Sequence, residues 1–250
     1  LNGTTPTINI YPKNEMGKLT KEFANPTADQ NISVSQHISY DISLKLPRDL
    51  GERIAATGNL KYKSFTVNEI PGLGLKFAGY GLGATMVDDG TTKQSLGDFL
   101  TQYHLTAVAD PVISFPNGFT GDGTSKASLT ISPATPAADI TGWEALAGKT
   151  LKMTVICYID MDYFLTHPDK VDADIVNKAN YKVTEDNGFE VVPGEDQVKS
   201  ITAKYKFQKN DANTGHLLTG AKFAVSESGA PGYMYFREVG GQGSGVYMLI

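Results

Sequence analysis

The chain of 250 residues is 40% hydrophobic and 10% aromatic, which is enough apolar material for one large or two ordinary globular domains. Its 22 Lys and Arg residues against 27 Asp and Glu residues give a formal net charge of −5. The sequence contains no basic block and no apolar stretch of membrane-spanning length. It therefore argues against binding to nucleic acid or anionic membrane surfaces and against membrane insertion.

The cysteine and histidine content limits the chemistry further. Cys157 is the only cysteine, so an internal disulfide and a multi-cysteine zinc site are excluded. The four histidines share no metal-ligand spacing, and the sequence predicts no metal site and no cofactor. No export signal is visible at Leu1, and we expect the chain to be a fragment of a longer protein.

Two lysines near the beginning of the chain lie in different settings. Lys13 follows Pro12, which ends a strand-like run, so its amine is expected to project from an exposed loop. Lys21 alternates with Leu19 and Phe23, and the two-residue period of a strand places all three on the core-facing side. A buried, unpaired ammonium usually gives up its proton, and the resulting neutral amine is a nucleophile.

Two strands are predicted next. The clearest alternation of apolar and polar residues runs from His37 to Leu46 and indicates a half-buried antiparallel strand. A second strand is predicted from Leu60 to Glu69. Glu69 shares a face with Phe65 and Val67, so its carboxylate is also expected to point inward.

The middle of the chain is less regular. Gly79 to Gly97 shows no clear pattern, and Leu96 to Leu105 fits either a short helix or a strand. Further along, the sequence predicts strands at Val112–Phe115 and Ala127–Ile131, one or two helical turns at Asp139–Ala147, and a firmer strand at Lys149–Ile159. Cys157 faces the core in the last of these, where an inert buried thiol is predicted.

The remaining sequence divides into two parts. Ile175 to Val183 is predicted to be the last strand of the first unit, with Asn177 on its core face. The polar segment Glu185 to Gln197 is predicted to be a linker, and a second run of strands begins at Val198. In that run Lys209 shares a face with two aromatic residues, and two more short strands are predicted between Gly232 and Ile250.

Three features resemble the major pilins and related wall-anchored surface proteins of Gram-positive bacteria. Tyr11-Pro12-Lys13-Asn14 looks like the pilin motif, whose lysine a pilin sortase joins to the sorting-signal threonine of the next subunit. The segment from Leu19 to Val183 resembles the isopeptide-forming pilin domain, with a lysine in the first strand, an acidic residue ahead of a Gly-Leu turn and an Asn-x-Ala strand near the end. Tyr205 to Val225 resembles the opening of a collagen-adhesin B-type domain.

The resemblance implies an all-β fold of tandem immunoglobulin-like, collagen-adhesin-type β-sandwiches with intramolecular Lys-Asn isopeptide bonds. It implies a bond between Lys21 and Asn177 with Glu69 as the catalytic acid, and it makes Lys209 the bond-forming lysine of a second domain. In this chemistry a neutral buried amine attacks the carboxamide carbon. A protonated acid polarises the carbonyl and carries protons to the departing ammonia.

A slip of one residue in the predicted strand register would exchange these residues for their neighbours, because successive side chains in a strand point to opposite faces. Lys18, Asn180 and Asp41 are the residues that would then face the core.

The predicted division is residues 1–14 as the end of an N-terminal domain with the pilin motif, 15–192 as the isopeptide-forming sandwich, and 193–250 as the start of a collagen-adhesin B-type domain. The implied function is a structural subunit of a covalently polymerised pilus shaft, extracellular and anchored to the cell wall, rather than an enzyme. Its implied partners are other pilin subunits joined through Lys13, the pilin sortase, and host surface ligands.

Two alternatives remain open. One is a wall-anchored adhesin or pilus-tip protein that binds a host ligand through the loops at Gly79 to Gly97 and Gly118 to Gly123. The other is a secreted enzyme that uses paired carboxylates, either Asp160 with Asp162 or Asp88 with Asp89. These pairs are predicted to lie in turn-like, solvated sequence, and no nucleophile or metal motif accompanies them, so the enzyme ranks lower.

Overall fold

The computed structural model describes residues 19–26, 37–79, 86–88, 93–110, 119–134, 140–170, 173–201, 210–216, 233, 235–239 and 246–249. Within these ranges the protein consists of antiparallel β-strands with short helices between them. The predicted all-β class and the β-sandwich are confirmed.

The strands follow one another along most of the described chain. In chain order they are β1 (Thr20–Phe23), β2 (His37–Lys45), β3 (Tyr62–Pro71), β4 (Leu75–Gly79), β5 (Met86–Asp88), β6 (Lys93–Ser95), β7 (Leu105–Asp110), β8 (Phe119–Thr120), β9 (Ala127–Pro133), β10 (Thr150–Ile159), β11 (Asp174–Glu185), β12 (Glu190–Ile201), β13 (Phe236–Val239) and β14 (Val246–Leu249). The helices are α1 (Leu96–Gln102), α2 (Thr141–Ala145) and α3 (Met161–Thr166), with a 3-10 turn at Pro168–Lys170.

Two sheets form the sandwich. The seven-stranded sheet has the order β1-β2-β10-β4-β8, with β5 paired to β10 and β6 paired to β5. The five-stranded sheet has the order β12-β11-β3-β9-β7. The hairpin of β13 and β14 is a separate two-stranded sheet and matches the two short strands predicted after Gly232.

The core lies between the two sheets because alternate residues of strands such as β2, β10 and β11 face inward and are mostly apolar. In β11 the buried positions are every second residue, as the sequence predicted: Ile175, Asn177, Ala179, Tyr181 and Val183. The helices contribute large side chains at the edges of this core. Trp143 of α2 is fully buried, and its ring stacks on that of Phe65 with 5.6 Å between centroids.

The region that the sequence left undecided contains both a helix and a strand. The Ser95 side chain accepts a hydrogen bond from the Asp98 amide at 3.1 Å and so caps the beginning of α1. The helix ends after Gln102, and His104, with φ of 51°, turns the chain into β7. The short helix offered for Leu96 to Leu105 is therefore right, and the following strand begins only at Leu105.

The predicted linker from Glu185 to Gln197 is wrong. Most of it belongs to β12, which pairs with β11 from Asp174↔Ile201 to Thr184↔Glu190, so Ile175 to Val183 is not the last strand of this sandwich. The segment reads as polar because β12 is an edge strand with one face in solvent. Pro193 lies where the register shifts between Tyr181 and Val183, and an irregular edge strand tolerates a residue without an N–H.

The division predicted at residue 193 therefore falls inside a strand that belongs to the first sandwich. The strand predicted at Val112 to Phe115 and most of the collagen-adhesin-like segment lie outside the described residues. Among the described helices, none combines the length and the apolar character needed to cross a membrane.

Candidate functional site

A buried lysine and a buried glutamate contact each other between the two sheets. The Lys21 amine donates to both carboxylate oxygens of Glu69, at 2.8 Å to Oε1 and 2.6 Å to Oε2. Neither side chain has any exposed surface. The inward orientation predicted for both residues is confirmed, and each is the other's charge partner.

Strand register explains how these residues meet. Lys21 pairs with Ile42 of β2, so its side chain lies on the inner face of the seven-stranded sheet. Glu69 lies on the inner face of the opposite sheet, where it pairs with Ala179 of β11. Because alanine is small, this pairing leaves room above β11 for the carboxylate and the amine.

Asn177 lies beside this pair. It pairs with Pro71, one pleat from the Glu69–Ala179 pair, so it points to the same inner face, and it is fully buried. The Lys21 amine also donates to the main-chain carbonyl of Lys178 at 3.1 Å, which places it next to the residue that follows Asn177. The predicted lysine, glutamate and asparagine are thus brought together.

Cys157 of β10 joins the glutamate to the asparagine. Its thiol donates to Glu69 Oε1 at 3.7 Å and accepts from Asn177 Nδ2 at 3.6 Å. Burial raises the pKa of this thiol well above its ordinary value, and the negative charge of Glu69 raises it further. The thiol therefore stays protonated, as predicted, but it also contacts two polar groups that its apolar neighbours in the sequence did not indicate.

Tyr40 of β2 forms the wall of the site on the lysine side. The Lys21 amine lies 5.0 Å from the centroid of the Tyr40 ring. The ring of Phe23 stacks on the Tyr40 ring with 5.4 Å between centroids. Sequence reasoning assigned Tyr40 only to the core face of its strand. Its alternation with Ile38 and Ile42 is typical of ordinary packing, so no local signal marks it as part of a site.

The main chain of Lys21 is also held in place, by a hydrogen bond to a side chain of β12. The Lys21 amide donates to Asp196 Oδ2 of β12 at 2.8 Å, which ties β1 to the edge of the opposite sheet. Two further lysines singled out from the sequence, Lys13 and Lys209, lie outside the described residues, and so does Lys18.

The alternative residues occupy other positions. Asn180 accepts from Asn68 at 2.7 Å on the outer side of its strand, and Asp41 forms an ion pair with Lys152 at 3.0 Å. No slip of register has exchanged them for Asn177 or Glu69.

Asp160 and Asp162, one of the carboxylate pairs of the enzyme alternative, lie in different environments. Asp160 is 4% exposed and forms an ion pair with Lys76 at 3.1 Å, so the prediction that it lies in solvated sequence is wrong, whereas the Asp162 side chain is 85% exposed. The side chains of Asp88 and Asp89 are not among those described. Within the described part of the chain, no cluster of histidine, cysteine and acidic residues suited to a metal ion is found.

Fold and site together define a β-sandwich that encloses a lysine, a glutamate and an asparagine in one buried cluster. No protein-family profile matches the sequence, and no curated protein matches it. Among solved structures, the chain is similar to the major pilin subunit BcpA of Bacillus cereus, with 14% identity and a TM-score of 0.46. That match covers 80% of this chain and 45% of the pilin, so the chain spans less than half of it.

Two other structures show comparable similarity. The collagen-binding subdomain of the Enterococcus faecalis surface protein ACE is 11% identical with a TM-score of 0.38, over 77% of this chain and 100% of the subdomain. The Corynebacterium diphtheriae major pilin SpaA is 15% identical with a TM-score of 0.40, over 66% of this chain and 31% of the pilin.

Proposed function

We propose that this sandwich is a tension-bearing domain of an extracellular surface protein, stiffened by an autocatalytic isopeptide bond between Lys21 and Asn177. One observation carries the proposal: a fully buried amine bonds to a fully buried glutamate and to the carbonyl of the residue that follows a fully buried asparagine. A structural role alone gives little reason for this cluster, because apolar residues of similar volume usually stabilise a core as well as a buried ion pair does.

The residues present supply each part of the reaction. When the shared proton lies on Glu69, the neutral Lys21 amine attacks the carboxamide carbon of Asn177. The amine loses a proton, the amide nitrogen gains one through Glu69, and ammonia leaves. The fold holds the reacting groups together, and this proximity replaces an external catalyst.

The position of the bond explains what it would do for the protein. It would join β1, the first described strand, to β11 in the opposite sheet. Tension applied to the chain on either side would pass through the bond, and the strands between Lys21 and Asn177 would not be pulled apart. In the chain-entropy model used for disulfides, closing a loop of roughly 150 residues contributes about 5 kcal/mol.

Intact-mass spectrometry of the purified chain tests the bond. The expected mass is that of the sequence less one ammonia, and digestion should release a cross-linked peptide that contains Lys21 and Asn177. Asn177→Ala removes the electrophile and keeps the Lys21–Glu69 pair, and Glu69→Gln removes the acid with little change in shape. Both variants should show the full sequence mass.

A matched control is Asn180→Ala, which removes the neighbouring strand asparagine on the other face. This variant should still lose ammonia. A full mass for the wild-type chain, or a cross-link that persists in Asn177→Ala, would refute the proposal.

The finer proposal is that the protein is a subunit of a pilus shaft of a Gram-positive bacterium, with Lys13 as the sortase acceptor. Its support is the Tyr-Pro-Lys-Asn motif just before the sandwich. In such a shaft the inter-subunit bond at Lys13 would lie only a few residues before Lys21. Tension would therefore pass directly from the inter-subunit bond to the Lys21–Asn177 bond.

A further inference from the structure

Three buried side-chain oxygens, one on the seven-stranded sheet and two on the five-stranded sheet, have no hydrogen-bond partner among the described residues. They are Oη of Tyr40 on β2, Oδ1 of Asn177 on β11 and Oγ of Ser200 on β12. All three side chains are at most 4% exposed. An unpaired polar atom in a core is costly, so the unpaired oxygens of Tyr40 and Asn177 next to the Lys21–Glu69 pair indicate a site arranged for a partner that forms at another stage.

The nitrogen side of the Asn177 amide is already held. Nδ2 donates to Cys157 Sγ, and Glu69 takes hydrogen bonds from Lys21 through both oxygens and from the Cys157 thiol through Oε1. Glu69 and Cys157 therefore lie on the side of the nucleophile and the leaving nitrogen. The carboxamide oxygen has no donor from either residue, so Glu69 does not contact the carbonyl that the resemblance expects it to polarise, although this oxygen becomes negative when the amine attacks.

Tyr40 is a candidate donor to that oxygen, because its ring centroid lies 5.0 Å from the Lys21 amine, which also donates to the carbonyl of the residue after Asn177. Burial raises the pKa of its phenol above the ordinary range, and the negative charge of Glu69 raises it further. Ser200 and Asn177 are close enough to the phenol to lower its pKa. Neither of them forms a hydrogen bond with it in this structure. The phenol is thus a neutral O–H donor beside Asn177, and its hydrogen turns freely about the C–O bond.

We propose that the Tyr40 hydroxyl is a catalytic group of the cross-linking reaction, donating a hydrogen bond to Asn177 Oδ1 as negative charge develops there. This inference rests on the proposed function. The Lys21 nitrogen forms a bond to the carboxamide carbon, and the carbonyl π pair moves onto Oδ1, where the phenol stabilises it without giving up its proton. When the carbonyl re-forms, the bond to Nδ2 breaks. One proton passes from the lysine nitrogen through Glu69 to Nδ2, and ammonia departs.

The hydroxyl of Ser200, which is also unpaired, can orient the Tyr40 phenol. Ser200 lies on β12 opposite Ile175, next to the strand that carries Asn177. Its hydroxyl can donate to Tyr40 Oη while the phenol donates to Asn177, which would orient the phenol hydrogen toward the amide. Ser200 is therefore a positioning residue in the proposal, and it does not touch the reacting atoms.

The test follows cross-link formation during synthesis of the whole chain in a cell-free system. Samples are denatured at intervals and digested, and the Lys21–Asn177 peptide is quantified against the uncross-linked peptides. Tyr40→Phe removes only the hydroxyl and should slow cross-linking by about 100-fold, the effect typical of losing one donor to a developing oxyanion.

Tyr181→Phe is the matched control, because it removes another buried phenol, one that donates to the Lys45 carbonyl away from the site. This variant should cross-link at the wild-type rate. A Tyr40→Phe rate equal to that of Tyr181→Phe would overturn the inference. The mass of the wild-type chain separates this inference from the proposed function. If the wild-type chain loses ammonia, the proposed function stands even when the inference about Tyr40 fails. If the wild-type chain never loses ammonia, the proposed function itself is refuted.

A second variant decides the question if Tyr40→Phe fails to fold. Replacing Tyr40 by 3-fluorotyrosine keeps the hydroxyl and the shape of the ring and makes the phenol a stronger donor. Cross-linking faster than in the wild type supports the inference, and an unchanged or slower rate overturns it.

Discussion

At the scale of single residues, the site places ionisable side chains where a sandwich ordinarily has hydrocarbon. Lys21 and Glu69 can remain buried because they form an ion pair with each other. Removing one partner of such a pair typically costs about 3–5 kcal/mol, because the other is left buried and unpaired. Glu69→Ala should therefore destabilise the fold as well as stop the reaction. Asn177→Ala, which keeps the pair, separates the loss of the bond from the loss of the pair.

Cys157 leads to a prediction about stability at alkaline pH. Burial raises the pKa of its thiol, with the charge of Glu69 as a further cause, so the folded chain keeps the proton at a pH where the unfolded chain loses it. The folded state then binds more protons than the unfolded state, and the free energy of unfolding must fall as pH rises above about 8.5. For this group alone the slope approaches about 1.4 kcal/mol per pH unit.

Urea unfolding at several pH values between about 8 and 10, where a free thiol loses its proton, measures this slope. Cys157→Ala provides the comparison, because the packing lost with the sulfur does not change with pH and all other groups titrate as in the wild type. The variant should lose less stability on alkalinisation than the wild type. Parallel curves for the two proteins would show that the thiol titrates alike in the folded and unfolded chain.

At the scale of secondary structure, the site depends on the approach of β11 to the turn after β3. Gly72 lies in that turn, and a Cβ atom there would be 2.0 Å from the carbonyl oxygen of Val176. Val176 directly precedes Asn177. The absence of a side chain at residue 72 therefore lets β11 come close enough to place Asn177 beside Glu69.

Gly72→Ala should force the turn and β11 apart. We expect a loss of roughly 2–4 kcal/mol in the free energy of unfolding, because a backbone oxygen cannot move aside as a flexible side chain can. The proportion of chain that carries the Lys21–Asn177 bond should also decrease, since a small displacement of a reacting group has a large effect on rate. Thermal unfolding and intact mass measure the two effects.

Gly97→Ala is the control for this substitution. Gly97 lies in α1, and a Cβ atom there would come no closer than 4.0 Å to its nearest neighbour, the Ser95 hydroxyl. Alanine favours a helix over glycine by up to about 1 kcal/mol, so stability should be kept or increased and the loss of one ammonia should be unchanged. A Gly72→Ala protein as stable and as fully cross-linked as Gly97→Ala would contradict the role given to this turn.

At the scale of the whole molecule, the sandwich separates two kinds of lysine chemistry. Lys21 is enclosed between the sheets, where only residues of its own chain reach it. Lys13 precedes the sandwich in a Tyr-Pro-Lys-Asn sequence. The proposal gives the first lysine an intramolecular bond and the second an intermolecular one.

Substitution of Lys13 tests the intermolecular bond in the full-length protein expressed with its sortase. Lys13→Arg keeps the positive charge but offers no primary amine, so the ladder of covalent multimers on a denaturing gel should disappear. Lys63→Arg, at an exposed lysine of β3, should leave the ladder intact. An unchanged ladder in Lys13→Arg would favour the adhesin alternative over the pilus shaft.

The sequence by itself determined which residues face the core. Side chains alternate strictly along a strand, so the neighbours of Lys21, Glu69 and Asn177 were enough to place all three inward, and burial confirms each of them. The same local rule located β2, β10 and β11 within a few residues of their observed bounds. It failed for β12, because an edge strand with a solvated face has the composition of a linker.

Only the tertiary structure decided which of these faces meet. The Lys21–Glu69 contact, the pairing of Glu69 with Ala179 and the contacts of Cys157 join strands that are far apart in the chain. Such contacts depend on strand order and sheet packing, and no local pattern of residues encodes either. For the same reason Tyr40 and Ser200 look like ordinary strand residues in the sequence, and they become candidates for the chemistry only because the fold leaves their buried oxygens, like that of Asn177, without a hydrogen-bond partner among the described residues.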